Sequence, residues 1–303
     1  RVVNIIDTMT YMVYRYINRG LYESDKLTFV LLTTMKILVT GGSLTTDDIG
    51  LLLRGGASLD INGVRKNPMP WMPSDVWLNI IKMSSDVAYF RTLPDTIIRN
   101  EAMWKRWYEE NEPESTPVPD LEAELAGDSR LGHWRRLLLI RSLRVDRTSL
   151  AVKTFIRNTE QMGEKYIEPV VDTVEAVAED MTSTCPVIYL LSVGADPTDA
   201  IESLARKRKQ SVAVVSMGEG QEPFAIQALK NAAEQGSWVL LQNCELGLDT
   251  MDKMETLLRQ TYENVNDEFR LYFTAAPHPQ FPLGLLQMSI KVTNEPPAGL
   301  RAG

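Results

Sequence analysis

A chain of 303 residues, 44% hydrophobic and 24% charged, has the length of about two domains and the composition of an ordinary globular protein. A net charge of −8 argues against a nucleic-acid surface and against binding to anionic membranes. Two cysteines, Cys185 and Cys244, without C-x-x-C spacing exclude a disulfide scaffold or a zinc ribbon and suit a reducing compartment.

The first hundred-odd residues read as helices. From Ser24, a candidate N-cap, Leu27, Val30, Leu31, Thr34 and Leu38 recur at helical spacing until Gly41-Gly42. Thr33, Thr34 and Lys36 break the apolar stretch 29–39, so nothing here spans a membrane. A second helix starts at Thr45-Thr46, with Asp47 and Asp48 at the positive end of its dipole, and stops at Gly55-Gly56. Three prolines, Pro68, Pro70 and Pro73, forbid regular structure before Ser74 opens a helix carrying Trp77, Ile80 and Ile81. Another begins near Pro94 with Ile97, Ile98, Trp104 and Trp107.

Residues 109–128 hold eight acidic side chains, no basic ones, and Pro113, Pro117 and Pro119, which is the composition of a solvated connector. One helix is expected over 131–157, with Leu137, Leu138, Ile140, Leu143 and Phe155 inward. Arg130, Arg135, Arg136, Arg141, Arg144 and Arg147 crowd it. A phosphate or acidic-partner site is one reading of these arginines; a solvated face pairing with neighbouring acids is the expected one.

After Cys185 short apolar runs alternate with helical stretches. The runs are 187–191, 212–215, 238–241, 271–274 and 290–293, of the kind that strands covered on both faces need. Helical stretches at 198–207, 223–235 and 248–262 separate the first four. This calls for an α/β fold, a parallel five-stranded sheet with right-handed crossovers, like that of P-loop nucleotide-binding domains. Ligands of such sheets sit beyond the carboxyl ends of the strands.

The residues found there do not suit nucleotide chemistry. Ser192-Val193-Gly194-Ala195-Asp196-Pro197 follows the first strand where G-x-x-x-x-G-K-[ST] would grip phosphates, and none of the chain's 18 glycines precedes a lysine. Asp196 is expected to cap its own helix. Gln242 and Asn243 end the third strand where a hydrolytic ATPase places acids for magnesium and for the attacking water. Glu245 is a weaker candidate for a displaced base. Thr274, at the sensor-like end of the fourth strand, is expected to be a structural hydroxyl. His133, His278, Cys185 and Cys244 make no metal-ligand spacing. No catalytic, nucleotide-binding or metal residue is expected, Ser192, Gly194, Asp196, Gln242, Asn243 and Thr274 being degenerate positions.

These residues resemble dynein heavy chains around the sixth AAA+ module of the motor ring. Ser192 to Pro197 is similar to S-P-G-A-D-P, with Val193 in place of proline. Ser216-Met217-Gly218-Glu219-Gly220-Gln221 is similar to S-x-G-Q-G-Q, with Glu219 for glutamine. Trp238-Val239-Leu240-Leu241-Gln242-Asn243-Cys244-Glu245-Leu246 resembles W-V-x-L-Q-N-C-H-L, and residues 291–302 resemble K-x-T-N-E-P-P-x-G-x-R-A. The resemblance runs upstream through 137–147 and from Tyr14-Arg15 to Lys26-Leu27, and its wording is nearest to axonemal outer-arm γ-type chains. It implies an AAA+ module that binds no cofactor of its own, within a parent that hydrolyses ATP with Mg elsewhere. It makes 1–108 a helical lid associated with the fifth module, 109–128 an acidic linker, and 129–303 the large α/β part of the sixth. Whether the segment is itself an enzyme stays open, since ATPase activity is implied only for the parent. Implied partners are neighbouring AAA+ modules, microtubules through the parent's stalk, and intermediate and light chains. The implied location is the cytoskeleton of a cilium or flagellum axoneme, as part of a minus-end-directed motor. A divergent nucleotide-binding ATPase module and a docking scaffold for dynein subunits are the alternatives. With no initiator Met and an ending of Arg301-Ala302-Gly303, the expectation is a segment of a longer chain.

Overall fold

The computed structural model describes residues 2–54, 65–128, 131–170 and 172–295; the readings at Gly55-Gly56, at Arg130 and over 296–302 lie outside them. The chain forms two compact units, one of Arg1–Lys26 with Val170–Gly303 and one of Leu27–Pro169. These boundaries differ from those read at 108 and 128. The first helix packs with the sheet, and the acidic stretch lies inside the helical unit.

In chain order the helices are α1 (Val2–Asn18), α2 (Glu23–Thr40), α3 (Thr46–Arg54), α4 (Ser74–Asp86), α5 (Leu93–Arg99), α6 (Glu101–Tyr108), α7 (Glu122–Gly127), α8 (Gly132–Leu143) and α9 (Thr148–Asn158). The helical unit is centred on Trp77, Met83, Phe90, Ile97, Trp104 and Leu137, all fully buried or nearly so. The single helix expected over 131–157 is two. Arg144 leaves helical geometry (φ −131°, ψ 71°) because its guanidinium is spent elsewhere. Nη1 donates to the carbonyls of Tyr108 and Glu110 at 2.6 and 2.8 Å, and Nε donates to Asp146 at 2.9 Å.

The acidic stretch is not a solvated connector. Arg147 pairs with the buried Glu114, Arg136 with Glu122 at 2.6 Å, and Arg135 with Asp128 at 2.6 Å. Val118 and Leu125 are buried beside them. Asp120, at φ 60°, accepts from Asn100 at 2.7 Å and from the Trp104 indole at 3.2 Å. Arg135, Arg136 and Arg147 therefore pair with the neighbouring acids, but the face is half-buried rather than solvated, and Arg141 donates instead to the Leu52 carbonyl at 3.0 Å.

The sheet unit adds α10 (Val174–Glu179), β1 (Val187–Leu191), α11 (Thr198–Lys207), β2 (Val212–Ser216), α12 (Glu222–Gln235), β3 (Trp238–Gln242), α13 (Leu248–Thr261), β4 (Arg270–Ala275), α14 (Leu283–Met288) and β5 (Ile290–Asn294). All pairings are parallel, in the order β2-β3-β4-β1-β5. The step from β1 to β2 runs one way across the sheet and every later step runs the other. Right-handed crossovers must therefore put α11 on one face and α12, α13 and α14 on the opposite one. The burial pattern agrees. Val187, Tyr189, Trp238, Leu240, Tyr272, Ile290 and Val292 pack with α10 and α11. Ile188, Val239, Leu241, Leu271 and Phe273 pack with α12, α13 and α14.

Strand periodicity of two thus supplies both layers. β2 is the exception to the expected double cover: it is the edge strand and is half-exposed along its length. Gly236 ends α12 at φ 78°, and any Cβ there would meet the Asn266 side chain at 2.5 Å, so glycine is required. The connection after α1 lies along β5, where Thr293 donates from its amide to the Arg19 carbonyl at 2.9 Å and from its hydroxyl to that of Leu21 at 2.7 Å.

Candidate functional site

The carboxyl ends of β1, β3 and β4 converge where a parallel sheet of this kind holds its ligand. The loop after β1 is closed by its own hydrogen bonds. The Ser192 amide donates to the Asn294 carbonyl on β5 at 3.0 Å, and the Ala195 amide turns back to the Ser192 carbonyl at 3.0 Å. Gly194 makes the turn at φ 82°, with Val193 at its tip 98% exposed. A phosphate-binding loop needs its amides free and a lysine beside them. Here those two amides are engaged, and the loop has no lysine.

Asp196 fixes the start of α11. Its Oδ1 accepts from the Thr198 amide at 2.9 Å and from the Thr198 hydroxyl at 2.5 Å. Gln242, at the end of β3, donates from Nε2 to the same hydroxyl oxygen at 2.6 Å. Thr198 Oγ1 uses its proton toward Asp196 and a lone pair toward Gln242, so the chain is satisfied with no ligand. It ties the β1 loop to the end of β3.

Asn243 takes left-handed geometry at φ 54°, one of the few residue types that does so readily. Its amide donates to the buried Thr274 hydroxyl at 3.2 Å, and its Nδ2 to the Ser216 hydroxyl at 2.9 Å. Thr274 thus has a structural bond in place. Glu245 Oε2 accepts from the Ala276 amide at 2.9 Å, joining the ends of β3 and β4. Cys244 is fully buried and donates to the Leu241 carbonyl at 3.3 Å. Burial, with Glu245 alongside, pushes its thiol far up and keeps it neutral. His278 Nδ1 accepts from the Gln280 amide at 3.2 Å. Among the described residues no three of His, Cys, Asp and Glu gather into a metal site, and no helix is long and apolar enough to cross a membrane.

The structure therefore brings together Ser192, Gly194, Asp196 and Gln242 on one side and Asn243, Thr274 and Glu245 on the other. Residue-by-residue reading missed Thr198, which links the first group, and Ser216 and Asn294, which anchor its surroundings. The Asp-x-Thr spacing at the helix start was the available signal for Thr198, since a short acid two residues before a hydroxyl makes such a turn.

Residues 182–293 match the model of the dynein heavy chain region D6 P-loop domain. Over 304 aligned residues, 100% of this chain, the sequence is 45% identical to the dynein gamma chain of the flagellar outer arm of Chlamydomonas reinhardtii. The chain belongs to the dynein heavy-chain family. It is also 44% identical to mouse dynein axonemal heavy chain 5, and 36% identical to the Chlamydomonas dynein-1-beta heavy chain of the flagellar inner arm I1 complex, again over 100% of this chain. The dynein segment spans only 6–7% of the length of these relatives. The matched residues 182–293 span the five-stranded parallel sheet, which is thus the part of the chain that the P-loop domain model describes.

Proposed function

We propose that this dynein segment is a non-hydrolysing structural module of a motor ring. It corresponds to the sixth AAA+ module preceded by the lid and connector of the fifth; the resemblance divides them at 108 and 128, with 129–303 as the large α/β part, whereas the compact units divide at 26 and 169. The observation that carries this reading is the hydrogen-bonded chain Asp196–Thr198–Gln242, which links the loop after β1 to the end of β3 through neutral or acidic partners only. A charge-free end of β3 at Gln242 and Asn243 has nothing to balance a divalent cation.

On this reading ATP and Mg act in other modules of the parent, and the segment relays rigid-body shifts through the ring. Its neighbours are the adjacent AAA+ modules. The parent engages microtubules through its stalk and carries intermediate and light chains. The names of the relatives, which are flagellar and axonemal, support a place in the axoneme of a cilium or flagellum; that the parent drives minus-end-directed motility there is part of the proposal. The test is a titration of the 303-residue chain with Mg-ATP, followed by calorimetry and phosphate release. The expected result is neither binding nor turnover up to about 1 mM. Micromolar binding with turnover that Glu245→Gln abolishes would instead establish a divergent ATPase module.

A further inference from the structure

β2 is an open sheet edge without the usual protection. Val212-Ala213-Val214-Val215-Ser216 has no charge and no proline, and it pairs one-to-one with β3 without a bulge. The Trp238 amide donates to the Ser211 carbonyl at 2.9 Å, and the Met217 amide donates to the Gln242 carbonyl at 2.7 Å. The alternation of a parallel ladder then gives Ala213 and Val215 to β3 and turns the N–H and C=O of Val212, Val214 and Ser216 outward.

At the carboxyl end of this edge lies an open concavity of about 630 Å³. Val214, Val215 and Phe224 form its apolar wall, and Ser216, Glu219 and Gln221 its polar one. Phe224 is a large aromatic that is 64% exposed.

Charge marks the two ends of the edge. Upstream, Lys207 and Arg208 are taken by Glu175 and Glu179, which leaves Arg206 and Lys209 exposed. Downstream, Glu222 is held by Lys253 at 2.7 Å, which leaves Glu219 exposed beside the hollow. The five residues of the strand separate these ends by about 17 Å.

We propose that β2 accepts an extended segment of a partner polypeptide as an added strand. That segment carries alternating apolar residues, one of which fills the Val214–Phe224 hollow. It has an acidic residue over Arg206 and Lys209 and a basic one over Glu219. The β2 edge of a second copy, set antiparallel, would also match the end charges. It would, however, bring Gln210 and Lys209 to the hollow and leave Phe224 uncovered, so a second copy is the poorer fit.

The probes are two fluorescein-labelled peptides, Asp-Val-Thr-Val-Thr-Leu-Lys for parallel addition and Lys-Leu-Thr-Val-Thr-Val-Asp for antiparallel. Each is titrated into the 303-residue chain by anisotropy, with amide hydrogen exchange of β2 recorded at saturation. One peptide is expected to bind saturably and to slow exchange at Val214. Val214→Pro spares the ladder to β3, because that amide points outward, and should weaken binding about tenfold or more; Phe224→Ser should do the same without touching the strand. The proposal is overturned if neither peptide binds up to about 1 mM, or if binding survives both substitutions. It is equally overturned if the chain dimerises in sedimentation and Val214→Pro abolishes the dimer.

Discussion

Thr198 is the residue through which the degenerate site holds together, and its hydroxyl has two partners and one proton. Replacing it with valine keeps the shape and removes both hydroxyl bonds; the exposed Asp196 keeps the backbone amide of residue 198, while Gln242 is left without its partner at a half-buried position. Thr198→Val should lower the unfolding free energy by about 1–2 kcal/mol, read from the urea midpoint at constant m. Gln242→Glu is the sharper variant. A carboxylate cannot donate to Thr198, so Asp196 and residue 242 would compete for the same hydroxyl proton, with two like charges facing one another. The expected outcome is a loss of about 1–3 kcal/mol and no gain of Mg-ATP binding, because the loop still lacks a lysine and its Ser192 and Ala195 amides stay engaged. A variant as stable as the parent would mean that Gln242 is not held by Thr198 in solution.

At the scale of elements, the pairing of α7 and its approach with α8 and the turn after it makes the helical unit sensitive to acid. Burial alone would push Glu114 and Glu122 up, but hydrogen bonds from Arg147 and Arg136 outweigh it and hold both carboxyls below the ordinary value of 4.5. Asp146 is lowered likewise, chiefly by its hydrogen bonds from Arg144. Because the folded chain favours the ionised forms, their stabilisation is complete above pH 4.5 and is lost as pH falls through the lowered values. Glu114→Gln should therefore melt earlier at pH 7 and lose less further stability between pH 4.5 and pH 3, measured by thermal scans across that range. Equal pH slopes for parent and variant would show that Glu114 is not ionised and paired.

This pairing is also where sequence reading fell short. The strands and the helices over 198–207, 223–235 and 248–262 were legible because burial on both faces demands unbroken apolar runs. An acidic, proline-rich stretch reads as solvated by composition alone, and its arginine partners become visible only once α8 folds back. The break at Arg144 depends on carbonyls 34 and 36 residues away, which helical periodicity cannot register. An apolar run such as 212–215 does not reveal whether its strand is central or at the edge; that depends on strand order. In the site, Gln242, Asn243 and Thr274 were found because position after a strand identifies them. Thr198 was not, because its role comes from a side chain on another strand.

At the scale of the whole molecule, α1 carries its apolar surface outward. Ile5, Ile6, Met9, Met12, Val13, Tyr16 and Ile17 recur at three- and four-residue spacing, and each is at least 40% exposed. Its carboxyl end is anchored by Arg15 on Asp172 at 3.3 Å and, just beyond the helix, by the buried Arg19 on Asp180 at 2.6 Å. An interfacial membrane helix would need a Lys- and Arg-rich polar face, and among its described side chains α1 offers only Arg15 as a base. A contiguous apolar stripe of this kind drives association when left in water. The 303-residue chain alone should therefore self-associate with rising concentration, read by sedimentation velocity. Met9→Glu with Met12→Glu should return it to a monomer. Glutamate is a good helix former and neither methionine belongs to the core, so the thermal midpoint should stay within about 2 °C. The β2 edge is the competing source of association, and the two are separable: Val214→Pro leaves α1 untouched, and the paired glutamates leave β2 untouched. Association that persists in the double variant and vanishes with Val214→Pro would assign it to the sheet edge and sink the assignment to α1.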